Sequence, residues 1–425
     1  MKNRILYFLV LATISSCNTP SKDSTDSDTS TSSQNITPES LGLNSDSLAL
    51  IENHFQWAMD SSFIAGGVAL VAKNNQIAFY KAFGFSDRAK TKTLQKDAIF
   101  RMASMTKPIA SLAVMQLHEQ GKLNVADPVS KYIPEFANSQ VIENFNPEDG
   151  SYSTRPAQNE LTIHHLLTHT SGLAYDSDPV ASQVYPPFDI ILAISKDSIL
   201  LENNIPKMGR LPLMHEPGAQ FTYGISIDVL GRIIEIVSGL PFDQYLQKNV
   251  FEPLGMVDTY FYLPENKYDR LVDVWFTPEA NPDNYLSADY PIAGAMTYFS
   301  GGAGLVSTAM DYLQFASALL NNGKWNGNKV LQEETTKMMM SNQIDSLFQS
   351  EGVKYGYGGS VYETDGPYGR KAGRFSWGGY WQTNYWVDPQ RDMITIIMTN
   401  ARETPRWNEL FDGYEQIVNN AVLEQ

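Results

Sequence analysis

A serine and a lysine stand three residues apart in the stretch Phe100-Arg101-Met102-Ala103-Ser104-Met105-Thr106-Lys107-Pro108. Downstream, Ile109, Leu112, Ala113, Met115, Leu117 and Leu123 recur at helical spacing, with Gly121 as a stop signal. A buried helix starting there places Ser104 in its first turn, where free backbone N–H groups point at anything negative that forms nearby. Three residues of helix rise roughly 4.5 Å and bring the side chain back to the same face. A buried amine held against a hydroxyl can lose its proton and act as base toward it, making Ser104 a nucleophile. No other lysine in the chain has a serine three residues before it. The plain alternative is a serine at an ordinary helix N-terminus.

A nucleophile also needs a proton shuttle and an oxyanion site. Glu216-Pro217-Gly218-Ala219-Gln220-Phe221-Thr222-Tyr223-Gly224-Ile225-Ser226 precedes an apolar helix over residues 227–237. A tyrosine in such a loop can deliver its phenol to a cleft, and a cation such as Lys107 beside it lets it shuttle protons. Phe375-Ser376-Trp377-Gly378-Gly379-Tyr380 sets two glycines inside β-patterned sequence, a sign of close approach by another backbone or a ligand. An edge strand there offers a backbone N–H to an oxyanion, beside that of Ser104. His165 and His169 are four apart, but no Glu-x-x-His pattern or third ligand accompanies them, so no metal is expected. The chain has no G-x-S-x-G elbow.

Several elements must position these groups. The chain has 425 residues, 43% of them hydrophobic, enough for a large core. A net charge of −16 repels nucleic acid and excludes it as a partner. Residues 66–73 and 76–84 are β-rich around Asn74-Asn75 and read as a hairpin, preceded by an amphipathic helix over residues 48–59. Residues 108–340 are mostly helical, broken by long loops at 145–159, 175–187 and 277–291 that suit the walls of a cleft. Residues 355–361, 373–377, 380–387 and 393–399 return to strands, and a helix over 408–423 closes the chain. The expected fold is α+β: an antiparallel sheet built from the N-terminal hairpin and the C-terminal strands, flanked by helices, with a mostly helical middle.

The single cysteine, Cys17, ends an apolar run that follows a basic start, and the run is too short to span a bilayer. It resembles a bacterial lipoprotein signal. The expected division is a signal peptide at 1–16, a Ser/Thr/Asp-rich tether at 17–44 and a catalytic domain at 45–425. The expected location is the cell envelope, with a lipid on Cys17 holding the protein to a membrane. Without further cysteine, disulfides and thiol catalysis are excluded from the mature body.

In chain order the three motifs resemble the signature of the serine β-lactamase and penicillin-binding-protein superfamily, nearest its class C branch and the family VIII carboxylesterases. Leu166-Leu167-Thr168-His169-Thr170-Ser171-Gly172-Leu173, Asp228-Val229-Leu230-Gly231 and Ser300-Gly301-Gly302-Ala303-Gly304-Leu305-Val306-Ser307-Thr308 also resemble that branch. The resemblance implies a β-lactamase/transpeptidase-like fold and an acyl-enzyme mechanism without metal or cofactor. It makes Ser104 the nucleophile, Lys107 its activating neighbour and Tyr223 the proton shuttle, with the backbone amides of Ser104 and Tyr380 as oxyanion hole. Substrate-binding positions are Ile225, Trp377, Gly378 and Gly379. Two of these depart from the penicillin pattern: Ile225 stands where an asparagine holds the substrate's acylamide, and Trp377 where a cation receives the β-lactam carboxylate. Lys371 and Arg374 are close enough in sequence to replace that charge. The expected activity is hydrolysis of a small-molecule ester. The alternatives are a D-amino-acid amidase or peptidase, a β-lactamase, and a catalytically silent envelope lipoprotein that binds a ligand in the same cleft.

Overall fold

In the computed structural model, which describes residues 36–276, 289–348, 350–402 and 406–423, the two ends of the chain meet in one sheet. β1 (Gly66–Lys73) and β2 (Gln76–Gly84) form the expected hairpin. Asn74 and Asn75 turn it with φ of 52° and 60°, a conformation asparagine tolerates better than most residues. The C-terminal half supplies β3 (Val353–Tyr355), β4 (Ser360–Tyr362), β5 (Phe375–Gly379), β6 (Thr383–Asp388) and β7 (Met393–Met398). The order is β3-β4-β5-β6-β7-β1-β2, and every neighbouring pair is antiparallel.

Side chains alternate across this sheet, and both faces are covered. Val68, Leu70, Tyr385, Val387, Ile394 and Ile396 face the larger core, which the helical middle covers. Ala69, Val71, Trp386, Met393 and Ile397 face a second core under α1 (Ser45–Asp60) and the C-terminal helix, residues Trp407–Asn420. The middle contributes α2 (Thr106–Glu119), α3 (Ser226–Ser238) and α4 (Ala309–Leu320), joined by shorter helices; the C-terminal helix is α5. Every residue of α2 from 106 to 117 is buried, so this helix is the centre of the core rather than an amphipathic cover. Gly121 follows it with φ of 68°, the left-handed ending expected of its stop signal.

Two expectations need correction. The loop expected over residues 145–159 is partly a hairpin, in which Gln140–Phe145 pairs with Tyr152–Pro156. Ordered structure also begins before residue 45. Leu41 and Leu43 are buried, Leu43 bridges Val422, and the Asn44 N–H donates to the Ala421 carbonyl at 2.7 Å. Two leucines in an otherwise polar stretch are enough to dock its end against α5. Cys17, the signal stretch and most of the expected tether lie outside the described residues, as does most of the expected loop at 277–291.

Candidate active site

Ser104 sits in a one-turn 3₁₀ helix, Ala103–Met105, that runs directly into α2. Ala103 enters it with φ of 43°, a left-handed conformation costly for a residue with a Cβ. The surroundings hold that turn in place. Phe100–Arg101 pairs with Val306–Ser307, the Met102 N–H donates to the Leu305 carbonyl at 2.9 Å, and the Leu305 N–H donates to Thr106 Oγ1 at 3.0 Å. The Tyr312 hydroxyl, from α4, donates to the Met105 carbonyl at 2.9 Å.

Lys107 is fully buried, and its Nζ reaches three oxygens: Ser104 Oγ at 3.2 Å, the Tyr175 hydroxyl at 3.1 Å and the Gly302 carbonyl at 2.8 Å. It also lies 4.6 Å from the centroid of the Tyr223 ring. Burial alone would lower its pKa, but the phenols of Tyr175 and Tyr223 outweigh that, and the balance lies above the ordinary lysine range. Around the lysine expected to give up its proton stand polar oxygens rather than hydrocarbon, and they favour its ammonium form. Such a cation stabilises negative charge on whichever adjacent oxygen carries it.

Tyr223 is fixed from both sides by His169. The His169 carbonyl accepts from the Thr222 N–H at 2.8 Å, and its Nδ1 accepts from the Gly224 N–H at 3.3 Å. Burial, and then the charge of Lys107, hold this imidazole well below its usual pKa, so it stays neutral and can accept. On the other side of Tyr223, the Trp377 indole N–H donates to its hydroxyl at 3.4 Å.

Trp377 belongs to β5, which is not a plain edge strand. Phe375 and Ser376 pair with β4, whereas beyond them β5 pairs only with β6. The free edge thus begins at Trp377 and faces the serine. A Cβ on Gly379 would lie 2.2 Å from the Met102 carbonyl, so only glycine lets the strand come this close to the Ser104 turn. Tyr380 follows immediately. Among the described residues, neither its N–H nor that of Ser104 donates to a carbonyl.

Residues 51–417 match the family model described as Beta-lactamase. The chain belongs to the beta-lactamase family. An uncharacterized protein of Mycobacterium tuberculosis is 31% identical over 363 residues, 80% of this chain and 86% of that protein. The esterase EstB of Burkholderia gladioli is 29% identical over 387 residues, 86% of this chain and 94% of that protein. Among solved structures, EstCE1, described as a hydrolase with promiscuous acyltransferase activity, matches with a TM-score of 0.75 and 29% identity, covering 88% of this chain and 99% of that one.

Within this beta-lactamase fold, several expected site residues fall elsewhere. Ile225 has no exposed surface and packs into the larger core, so it offers a substrate nothing to touch. Its influence is confined to the amide it lacks. Lys371 is paired with Asp365 at 2.5 Å, and Arg374 is buried against Glu415 near the Trp386 ring, on the α5 side of the sheet. Neither replaces a cation at Trp377. His165 and His169 do not act as a pair. His165 Nδ1 accepts the Thr162 N–H at 3.2 Å and caps a short helix, while His169 serves the tyrosine loop.

Tyr175, the Gly302 carbonyl and the buried carboxyl of Asp228 also belong to the site, although the sequence motifs do not point to them. Tyr175 lies only two residues beyond the Leu166-to-Leu173 segment already noted, and Gly302 and Asp228 lie inside the two others. Those segments mark the floor of the site.

Proposed function

We propose that this protein is a serine carboxylic ester hydrolase working through an acyl-enzyme on Ser104. Ser104 Oγ attacks the ester carbonyl while the Tyr223 oxygen, acting as a phenolate beside the Lys107 ammonium, takes its proton. The Lys107 ammonium, beside both groups, compensates the charge that moves between them. The tetrahedral oxyanion lies between the amides of Ser104 and Tyr380. The carbon–oxygen bond then breaks, the leaving alkoxide takes the proton back from Tyr223 and departs as an alcohol. Water repeats the sequence and releases the acid.

The observation that carries the ester reading is Trp377. It places an indole on the Tyr223 hydroxyl where a carboxylate-binding cation would stand, and Lys371 and Arg374, the cations near it in sequence, are engaged elsewhere. The rings behind it are packed together: Tyr355, itself fully buried, backs Trp377 at 5.1 Å and Phe221 at 5.1 Å, and the half-buried Phe221 meets Phe348 at 4.7 Å. An aromatic wall, with neither Lys371 nor Arg374 brought to it, suits an uncharged small-molecule ester. The esterase and hydrolase names of EstB and EstCE1 support the same reading.

The test is hydrolysis of p-nitrophenyl acetate and butyrate by the full chain beside Ser104→Ala. Turnover should fall to background in the variant, and equal rates from the two proteins sink the proposal. Nitrocefin in the same assay should be turned over more slowly than either ester.

We further propose that Cys17 carries a lipid that anchors the protein in the cell envelope. The support is its place at the end of a short apolar run behind a basic start. Cys17→Ser should move the protein from the membrane fraction to the soluble one, and an unchanged distribution refutes the anchor.

A further inference from the structure

Asp228 is a fully buried carboxylate in the first turn of α3 that the steps above leave unused. Its Oδ1 accepts the Ser300 hydroxyl at 2.6 Å and the Gly302 N–H at 3.5 Å. The other end of the same glycine, its carbonyl, accepts from Lys107 Nζ at 2.8 Å. One residue is thus gripped by the carboxylate at its N–H and by the ammonium at its C=O. Only glycine fits between them: a Cβ on Gly302 would lie 2.6 Å from Asp228 Oδ2 and 3.1 Å from the Tyr175 hydroxyl.

Asp228 Oδ2 is buried and has no hydrogen-bond partner among the described residues. A buried carboxylate oxygen left unpaired is costly, and an apolar residue of the same shape would avoid that cost. The charge therefore serves something other than packing. The cation acting on it is Lys107.

We propose that Asp228 is a positioning residue. It clamps the strap of residues 300–302 so that the Gly302 carbonyl and the carboxylate's charge together hold the Lys107 ammonium against Ser104. This rests on the reading of Ser104 as the nucleophile.

The groups facing Asp228 are Lys107 from α2, Tyr175 from the loop behind it, and Tyr298 and Ser300 from the strap. The short helices Ile163–Leu167, Leu201–Met208 and Phe242–Leu246 also pack on α3; Glu202 pairs with Arg232 of α3 at 3.7 Å, and none of His164, His165, Glu202, Lys207, Asp243 and Tyr245 bonds Asp228. On α3 itself, Arg232 pairs with Glu235. Burial raises the Asp228 carboxyl to about 6, against the lowering by Ser300 and Lys107. The clamp is charged above that pH and neutral below it.

The experiment compares wild type, Asp228→Asn and Ser300→Ala on p-nitrophenyl butyrate from pH 5 to 9, with active sites counted by a fluorophosphonate label. In Asp228→Asn, kcat per labelled site should fall roughly 10- to 100-fold, with KM changed by less than about 2-fold. The wild-type decline in kcat below about pH 6 should be absent from that variant. Ser300→Ala keeps the charge and loses the clamp, so it should show a smaller fall and retain the decline. If Asp228→Asn does not fold, Ser300→Ala carries the test, and wild-type kcat in it overturns the clamp. An active wild type with an indifferent Asp228→Asn, in kcat per site and in pH profile, overturns the clamp alone. A wild type that neither turns over ester nor takes the label overturns the reading of Ser104, and the clamp with it.

Discussion

Lys107 and Arg374 are both buried cations, one on each side of the sheet, and their surroundings are opposite. Arg374 meets a carboxylate: it forms an ion pair with Glu415, which is itself fully buried and also bound by Arg370 at 2.6 Å. Aromatic rings enclose it, with Trp386 at 4.4 Å and Tyr362 at 5.2 Å. Lys107 meets no carboxylate directly. Its three partners are two hydroxyls and a carbonyl, and one of the hydroxyls belongs to the proposed nucleophile. A cation matched by an anion is fixed by that pair and does nothing further. A cation held by neutral oxygens keeps its field available for charge that develops during a reaction.

Removing each cation should separate the two roles. Lys107→Met should lower kcat on p-nitrophenyl butyrate by roughly a thousandfold or more. Its urea midpoint should fall less than that of Arg374→Met, because Lys107 bonds no carboxylate and leaves only its field on Asp228 uncompensated. Arg374→Met should do the reverse. Stranding part of the Glu415 charge should cost about 3 kcal/mol in urea unfolding, with kcat/KM kept within about 2-fold. If Lys107→Met proved the more unstable of the two, the ammonium would be structural and the contrast would fail.

The contrast was half legible in the sequence. The Ser104–Lys107 spacing, the long apolar helix behind it and the glycine pair after Trp377 are local patterns, and local patterns survive into structure. The direction of Arg374, away from Trp377, is also legible in the sequence. Residues 374 and 377 are an odd number apart along one extended run, so their side chains leave opposite faces. The burial of Ile225 is not. At the residue that caps α3, whether a side chain enters the cleft or the core depends on the loop's tertiary path, which no spacing records. Tyr175 is a lone aromatic in an irregular loop, and only the fold brings it to 3.1 Å from Lys107 Nζ. The Gly302 carbonyl carries no side-chain signal at all. The hairpin ending at Pro156 was hidden because Tyr152–Pro156 is mostly exposed and lacks an apolar face.

The Lys107 side of the sheet should also be the acid-sensitive one. Burial, followed by the charges of His164 and His215, holds His165 at about 4, and burial lowers His164, His215 and His169 as well. The folded chain keeps these rings neutral, whereas the unfolded chain protonates them near 6.5. Below about 6.5 the unfolded state therefore binds more protons, and stability falls until the folded value near 4 is reached. Above 6.5 they contribute no pH dependence. The His165 shift corresponds to about 3 kcal/mol, discounted to roughly 2 kcal/mol because the ring is half-buried rather than enclosed. Urea midpoints between pH 7 and 4 should show this loss, and His165→Gln should reduce it. An unchanged slope in that variant places the acid sensitivity elsewhere.

The smallest expected effect tests how much of the Lys107 geometry is stored in the backbone before Ser104. Ala103 holds φ of 43° with its methyl packed near Val274 and Trp381. A non-glycine residue there costs on the order of 1 kcal/mol, which Ala103→Gly would relieve. The same change frees the unfolded chain by about 0.4–1 kcal/mol and removes the methyl contact, so the net stability should move by less than about 1 kcal/mol. Activity should respond more than stability. A looser turn lets Ser104 Oγ and its amide drift from Nζ and from the amide of Tyr380, and kcat should fall by about 3- to 10-fold with KM little changed. Arg374→Met, across the sheet, should leave kcat alone while stability falls. If Ala103→Gly were instead more stable and fully active, the left-handed turn would be an incidental strain, and the ammonium's three oxygens would suffice to place the serine.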